Sequence, residues 1–228
     1  YLLPGIIDDH VHFRDPGLTH KADILTESRA AAAGGVTSIM DMPNTNPLTV
    51  TLDALNAKLD LLNEKCIVNH SCYFGATNNN YTEFDKLDKH RVCGIKLFMG
   101  SSTGNMLVDK MNSLLNIFNG TDMLIAAHCE DQETIKNNIE KYKQKYKGAD
   151  DIPVSAHPSI RSVPACYASS ELAVRLAKIA GARLHILHVS TAKELQLFSD
   201  EPLANKNITA EACVAHLLFT LTHYNSLG

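Results

Sequence analysis

The chain has 228 residues, 45% hydrophobic and 20% charged, with a formal net charge of −4. That is enough for one large α/β domain or a small barrel. The absence of a basic stripe argues against nucleic acid or an anionic membrane surface as a partner. No apolar stretch approaches the length of a membrane span. The six cysteines (Cys66, Cys72, Cys93, Cys129, Cys166, Cys213) have no paired spacing. This argues against a zinc ribbon or a Cys-x-x-Cys redox pair and fits a reducing, cytoplasmic setting. The first residue is Tyr1 and no basic leader segment follows, so the chain reads as a piece of a longer protein, not as one that opens on a signal peptide.

Strand-like and helix-like segments alternate along the chain. Leu2, Leu3, Ile6 and Ile7 form an apolar run that predicts a first strand ending in Asp8-Asp9-His10-Val11-His12. Residues 21–34 read as an Ala-rich helix stopped by Gly34-Gly35. A second strand over 36–42 ends in the rigid loop Pro43-Asn44-Thr45-Asn46-Pro47. Residues 51–65 read as a helix with Leu52, Leu55, Leu59 and Leu62 on one face. A third strand over 66–76, a short helix over 81–90 and a fourth strand over 92–99 follow, then a mobile glycine-serine loop over 100–104. Helices are predicted at 110–118, 132–147, 165–180 and 192–199, strands at 123–129, 183–189 and 208–213, and a loop at 150–158. Seven β-then-α units with short connections point to a parallel sheet with helices outside. A doubly wound sheet is the alternative. Ligand-type residues at the ends of strands one, four, five and six fit a (β/α)8 TIM-type barrel better, because functional residues gather there in that fold. With no eighth strand, residues 1–228 would be a partial barrel domain.

Four segments place ligand-type residues where an apolar run ends: His10-Val11-His12, Gly94-Ile95-Lys96-Leu97-Phe98-Met99-Gly100, Ala126-Ala127-His128-Cys129-Glu130-Asp131 and Leu187-His188-Val189-Ser190-Thr191. Side chains alternate across a strand, so His10 and His12 share a face, roughly 7 Å apart. Two imidazoles so placed make a credible metal half-site. Lys96 is the odd member, since an ammonium cannot bind a cation. It must snorkel, pair with an acid, lose its proton or be modified. Glu130 and Asp131 read either as partners of a histidine ligand or as the start of the next helix. His20, His70, His90, His157, His185 and His223 fall off the ligand positions and read as structural or solvated.

In these motifs the chain resembles the amidohydrolase superfamily, and within it the dihydroorotase family. His10-Val11-His12-Phe13-Arg14-Asp15-Pro16-Gly17 is similar to that family's first strand end, and Met42-Pro43-Asn44-Thr45 to its second. The Lys96 segment resembles its carboxylated-lysine strand, and the His128 and His188 segments its single-histidine strands. The resemblance implies a zinc-dependent cyclic amidohydrolase that interconverts N-carbamoyl-L-aspartate and (S)-dihydroorotate in pyrimidine biosynthesis. His10 and His12 would bind one zinc, His128 and His188 a second, with a carboxylated Lys96 and a hydroxide bridging them. Arg14, Asn44 and His216 match positions that hold a substrate carboxylate. Ala215-His216-Leu217 departs from the family's usual His-His-Leu but keeps the second histidine. The family's catalytic Asp and small β-sandwich would lie outside the 228 residues. The implied partner is a small molecule, with a homo-oligomer such as a dimer as the implied assembly. Allantoinase and dihydropyrimidinase are the nearest rival activities. A non-catalytic homologue acting as an assembly partner is the rival of another class, and the intact ligand set counts against it.

Overall fold

The structure is a computed structural model that describes residues 1–100, 106–147, 150 and 152–226. It is an α/β fold of the (β/α)-barrel type, with seven parallel strands among the described residues. The strands are β1 (Ile6–Val11), β2 (Val36–Asp41), β3 (Asn69–Gly75), β4 (Val92–Phe98), β5 (Ile125–His128), β6 (Leu184–Ile186) and β7 (Ile208–Ala210). They follow chain order in one sheet, the order of a (β/α) barrel and not of a doubly wound sheet. No helix among the described residues is long and apolar enough to cross a membrane. All six cysteines are free thiols.

The chain divides into two compact units, Tyr1–Leu97 with Ser102–Ile125, and Phe98–Ser101 with Ala126–Gly228. The first holds helices α1 (Ile24–Ala33), α2 (Leu52–Lys65) and α3 (Met111–Asn119). Strand β1 pairs in parallel with β2, β2 with β3, and β3 with β4. In β4, Gly94 and Ile95 to Phe98 are buried without alternation, the pattern of a parallel strand covered on both faces. The core collects Ile39, Leu62, Phe74, Ile95, Leu97 and Ile117. Helix α1 begins at Ile24, not at residue 21, because Asp23 has extended backbone and caps the Thr26 N–H at 2.9 Å. The short helix expected over 81–90 is a 3-10 turn over Tyr81–Lys86.

Helix α2 buries Leu55, Lys58, Leu59 and Leu62. This is the i, i+3, i+4, i+7 stripe of an amphipathic helix, but one member is a lysine. Lys58 Nζ lies 2.8 Å from Asp41 Oδ2, with neither side chain exposed, and donates to the Met42 carbonyl at 2.5 Å. Asp41 Oδ1 accepts the Phe13 N–H at 2.9 Å. A wholly buried ion pair therefore ties α2 and the end of β2 to the turn that follows β1. In that turn Gly17 has φ +80, and a Cβ there would meet the Asn46 carbonyl oxygen at 1.9 Å. Only glycine fits so close a backbone approach.

The second unit holds α4 (Gln132–Tyr146), α5 (His157–Ile160), α6 (Val163–Ala180), α7 (Val214–Leu218) and α8 (His223–Ser226). Helix α6 ends on Gly181 at φ 66, a left-handed glycine stop. Strands β6 and β7 pair in parallel. They are shorter than the apolar runs suggest: β6 stops at Ile186 rather than 189, and β7 at Ala210 rather than 213. The cause in β6 is His188, whose φ of 40 takes the chain out of extended pairing. The segment over 192–199 is a 3-10 turn, Ala192–Leu197, and the expected loop over 150–158 contains the turn Val154–Ala156. Of the loop expected over 100–104, only Gly100 lies within the described residues.

Candidate active site

In the first unit, His10 is the penultimate residue of β1 and His12 follows the strand directly. Their ring centroids are 5.4 Å apart. His12 Nδ1 is 2.7 Å from Asn44 Oδ1. A carbonyl oxygen accepts, so Nδ1 carries the proton and Nε2 keeps its lone pair, the arrangement in which an outer partner orients a metal-binding imidazole. Burial, then the Arg14 cation, push His12 down to about 3, so the ring is neutral at pH 7, as a ligand must be. Arg14 sits at φ 65, a backbone state uncommon outside glycine and associated with functional turns. The neighbouring Asp15 is bound by Lys65 at 3.0 Å. Lys96, on β4, is only 1% exposed.

In the second unit, His128 ends β5 and His188 lies two residues beyond β6. His128 Nδ1 and His188 Nε2 are 2.9 Å apart. Two nitrogens on one tetrahedral zinc, each roughly 2.0–2.1 Å from it, lie about 3.3 Å apart. The pair is thus close to the separation one ion needs, and the donor set fits a zinc-type metal. His128 Nε2 is 3.0 Å from Glu130 Oε2, and Arg161 Nη1 donates to the same oxygen. Burial opposes the charge on Glu130, but the His128 hydrogen bond and the Arg161 cation outweigh it and hold the carboxyl below its ordinary range. Asp131 takes the other expected part: it caps α4, accepting the Thr134 N–H at 2.8 Å. The two adjacent acids thus divide the two readings between them.

His128, Glu130, Arg161, His188, Ser190 and His216 line one cavity of about 950 Å³. His216 was expected at the end of strand seven. It lies instead within α7, where its Nδ1 accepts the Cys213 N–H at 3.1 Å and its Nε2 is 3.4 Å from Ser190 Oγ. His185 is buried, with Nδ1 2.8 Å from Thr209 Oγ1. Arg161 and the Asp41–Lys58 pair escaped sequence reading. Only Lys58 left a signal, as a cation inside a leucine stripe.

A neutral His12 held by Asn44 and a His128 held by Glu130, each at the end of a parallel strand, are features of a metal-dependent hydrolase of the amidohydrolase superfamily. Residues 1–194 match the family described as dihydro-orotase-like, and the chain belongs to that family. It is 32% identical over 234 residues to a dihydroorotase of Methanosphaera stadtmanae, covering 100% of this chain and 51% of that protein. It is 29% identical over 229 residues to an allantoinase of Deinococcus radiodurans, covering 96% and 49%. The structure is similar to the L-hydantoinase (dihydropyrimidinase) from Arthrobacter aurescens, with a TM-score of 0.90, 27% identity and coverage of 99% of this chain and 50% of that one. The chain spans about half the length of these relatives.

Proposed function

We propose that the full-length protein is a dihydroorotase, with residues 1–228 forming part of its barrel domain. The reaction is the reversible hydrolysis of the ring amide of (S)-dihydroorotate to N-carbamoyl-L-aspartate. The observation that carries this reading is the turn after β1: Arg14, left-handed at φ 65, lies two residues beyond a His12 held by Asn44. A guanidinium fork matches a carboxylate with two parallel hydrogen bonds. Dihydroorotate has a free carboxylate, which dihydrouracil and allantoin lack. Asn44 and His216 would donate to the same group, fixing the ring so that its amide carbon meets the attacking oxygen.

His10 and His12 would hold one zinc and His128 and His188 another, with Lys96, carboxylated on its amine, as the bridging ligand. Bound metal of this kind supplies a water ionised near neutral pH and polarises an amide carbonyl. The residues of the chain do the positioning. Asn44 sets the His12 tautomer, and Glu130, backed by Arg161, sets the ring of His128. In the hydrolytic direction an oxygen from water adds to the amide carbon, the C–N bond breaks and the departing nitrogen gains a proton. That proton comes from the added water. The six free thiols support a reducing, cytoplasmic setting.

Losing one partner of a desolvated charge pair costs roughly 2–5 kcal/mol. Arg14→Ala in the full-length enzyme is therefore expected to lower kcat/KM for dihydroorotate by about 30-fold to a few thousand-fold. Metal content should stay unchanged and the preference over dihydrouracil should narrow. Unchanged kcat/KM would remove the case for a carboxylate substrate. The allantoinase and hydantoinase likenesses favour a second reading, an uncharged cyclic amide. Assays of the full-length protein with dihydroorotate, allantoin and dihydrouracil side by side separate the two.

A further inference from the structure

His188 is held in its unusual backbone state by a residue on the next strand. In a regular parallel ladder, one residue of a strand donates to the carbonyl before, and accepts from the amide after, the same partner residue. Glu211 donates its N–H to the Ile186 carbonyl at 3.0 Å but accepts from Val189 at 2.9 Å. The accepted amide is one residue further along than a regular ladder allows, so one extra residue is inserted opposite Glu211. This is a bulge, a device that re-aims a side chain beside a functional site. It takes the His188 N–H out of the ladder, and a buried amide without an acceptor is costly. The Glu211 carboxylate meets this need: its Oε1 accepts the His188 N–H at 3.0 Å. Its other oxygen, Oε2, lies 3.4 Å from His185 Nε2, and His185 is anchored in turn on Thr209. One residue thus makes both ladder bonds around the bulge and satisfies the amide that the bulge releases. The product of this arrangement is a His188 imidazole with Nε2 2.9 Å from His128 Nδ1.

We propose that Glu211 is a positioning residue for His188: its carboxylate locks the left-handed bulge that aims the imidazole at His128. The inference rests on the reading that His128 and His188 hold a metal ion. The test uses the full-length protein, loaded with zinc for stoichiometry and with cobalt for its absorption spectrum, as wild type, Glu211→Gln and Glu211→Ala. The wild type is expected to bind about two ions per chain. Glu211→Gln keeps an acceptor oxygen and should keep both ions. Glu211→Ala should keep its circular dichroism and one ion, while the other binds about 10- to 100-fold more weakly, the usual cost of losing an outer partner. Should Glu211→Ala not fold, Glu211→Asp keeps the charge but shortens the reach, and the same weakening is expected. A folded Ala or Asp variant with wild-type stoichiometry, affinity and cobalt spectrum overturns the inference while leaving the metal reading intact. A wild type that binds no metal overturns that reading, and this inference with it.

Discussion

Lys96→Ala in the full-length protein is expected to abolish nearly all turnover, by at least about 10³-fold, or roughly 4 kcal/mol of barrel-centred catalysis. The side chain is 1% exposed on β4, where an aliphatic residue would be the ordinary choice. An ammonium between two cations is electrostatically untenable, so the amine must be carboxylated if it is to serve as a ligand. A small carboxylic acid added to the Lys96→Ala protein should enter the vacated space and restore part of the activity. Metal content, measured alongside, should fall in the variant and recover with the acid. An active, metal-loaded wild type whose Lys96 amine is unmodified by mass spectrometry and in electron density would refute the assignment.

The second large effect is on stability. Asp41→Ala or Lys58→Ala leaves one buried charge without its partner, and breaking a buried pair in this way costs about 3–5 kcal/mol. For a domain of this size that is roughly 6–20 °C in Tm. The double replacement Asp41→Leu with Lys58→Met should lose less than either single change, because it removes both charges together. It still orphans the Phe13 N–H, which Asp41 accepts at 2.9 Å. Thermal unfolding of the full-length protein checks both statements. Single variants within about 1 kcal/mol of wild type would mean that the pair is not the tie described here.

Much of this molecule is legible in its residues. The apolar runs locate the strands, most plainly β4, where a strand buried on both faces needs a continuous apolar run. The sheet runs in chain order, as the barrel reading requires and the doubly wound alternative does not. His10, His12, His128 and His188 stand out because each ends or follows such a run. Other parts were hidden for physical reasons. Lys58 fell in a gap of the leucine pattern, and a lone lysine in a helix is usually solvated, so the pattern alone does not reveal its buried partner. Arg161 is 31 residues from Glu130 in sequence, and nothing local links the two. The early ends of β6 and β7 depend on the left-handed His188, and a histidine carries no mark of that backbone state. His216 was displaced from a strand end into α7 because Cys213 and His216 cap each other across the first turn, a pairing outside the usual capping alphabet.

In each unit, the strand that precedes a turn does not hold that turn by itself. The amide after His12 is bound by Asp41, at the end of β2, and the amide of His188 by Glu211, just after β7. As the chain is synthesised, the His188 turn stays unlocked until 23 further residues have emerged and docked. The geometry of these candidate ligands would therefore arrive late in folding, as a product of strand addition rather than a seed for it. A half-made chain would present loose imidazoles with little grip on an ion, and metal capture would report that the fold around it is finished.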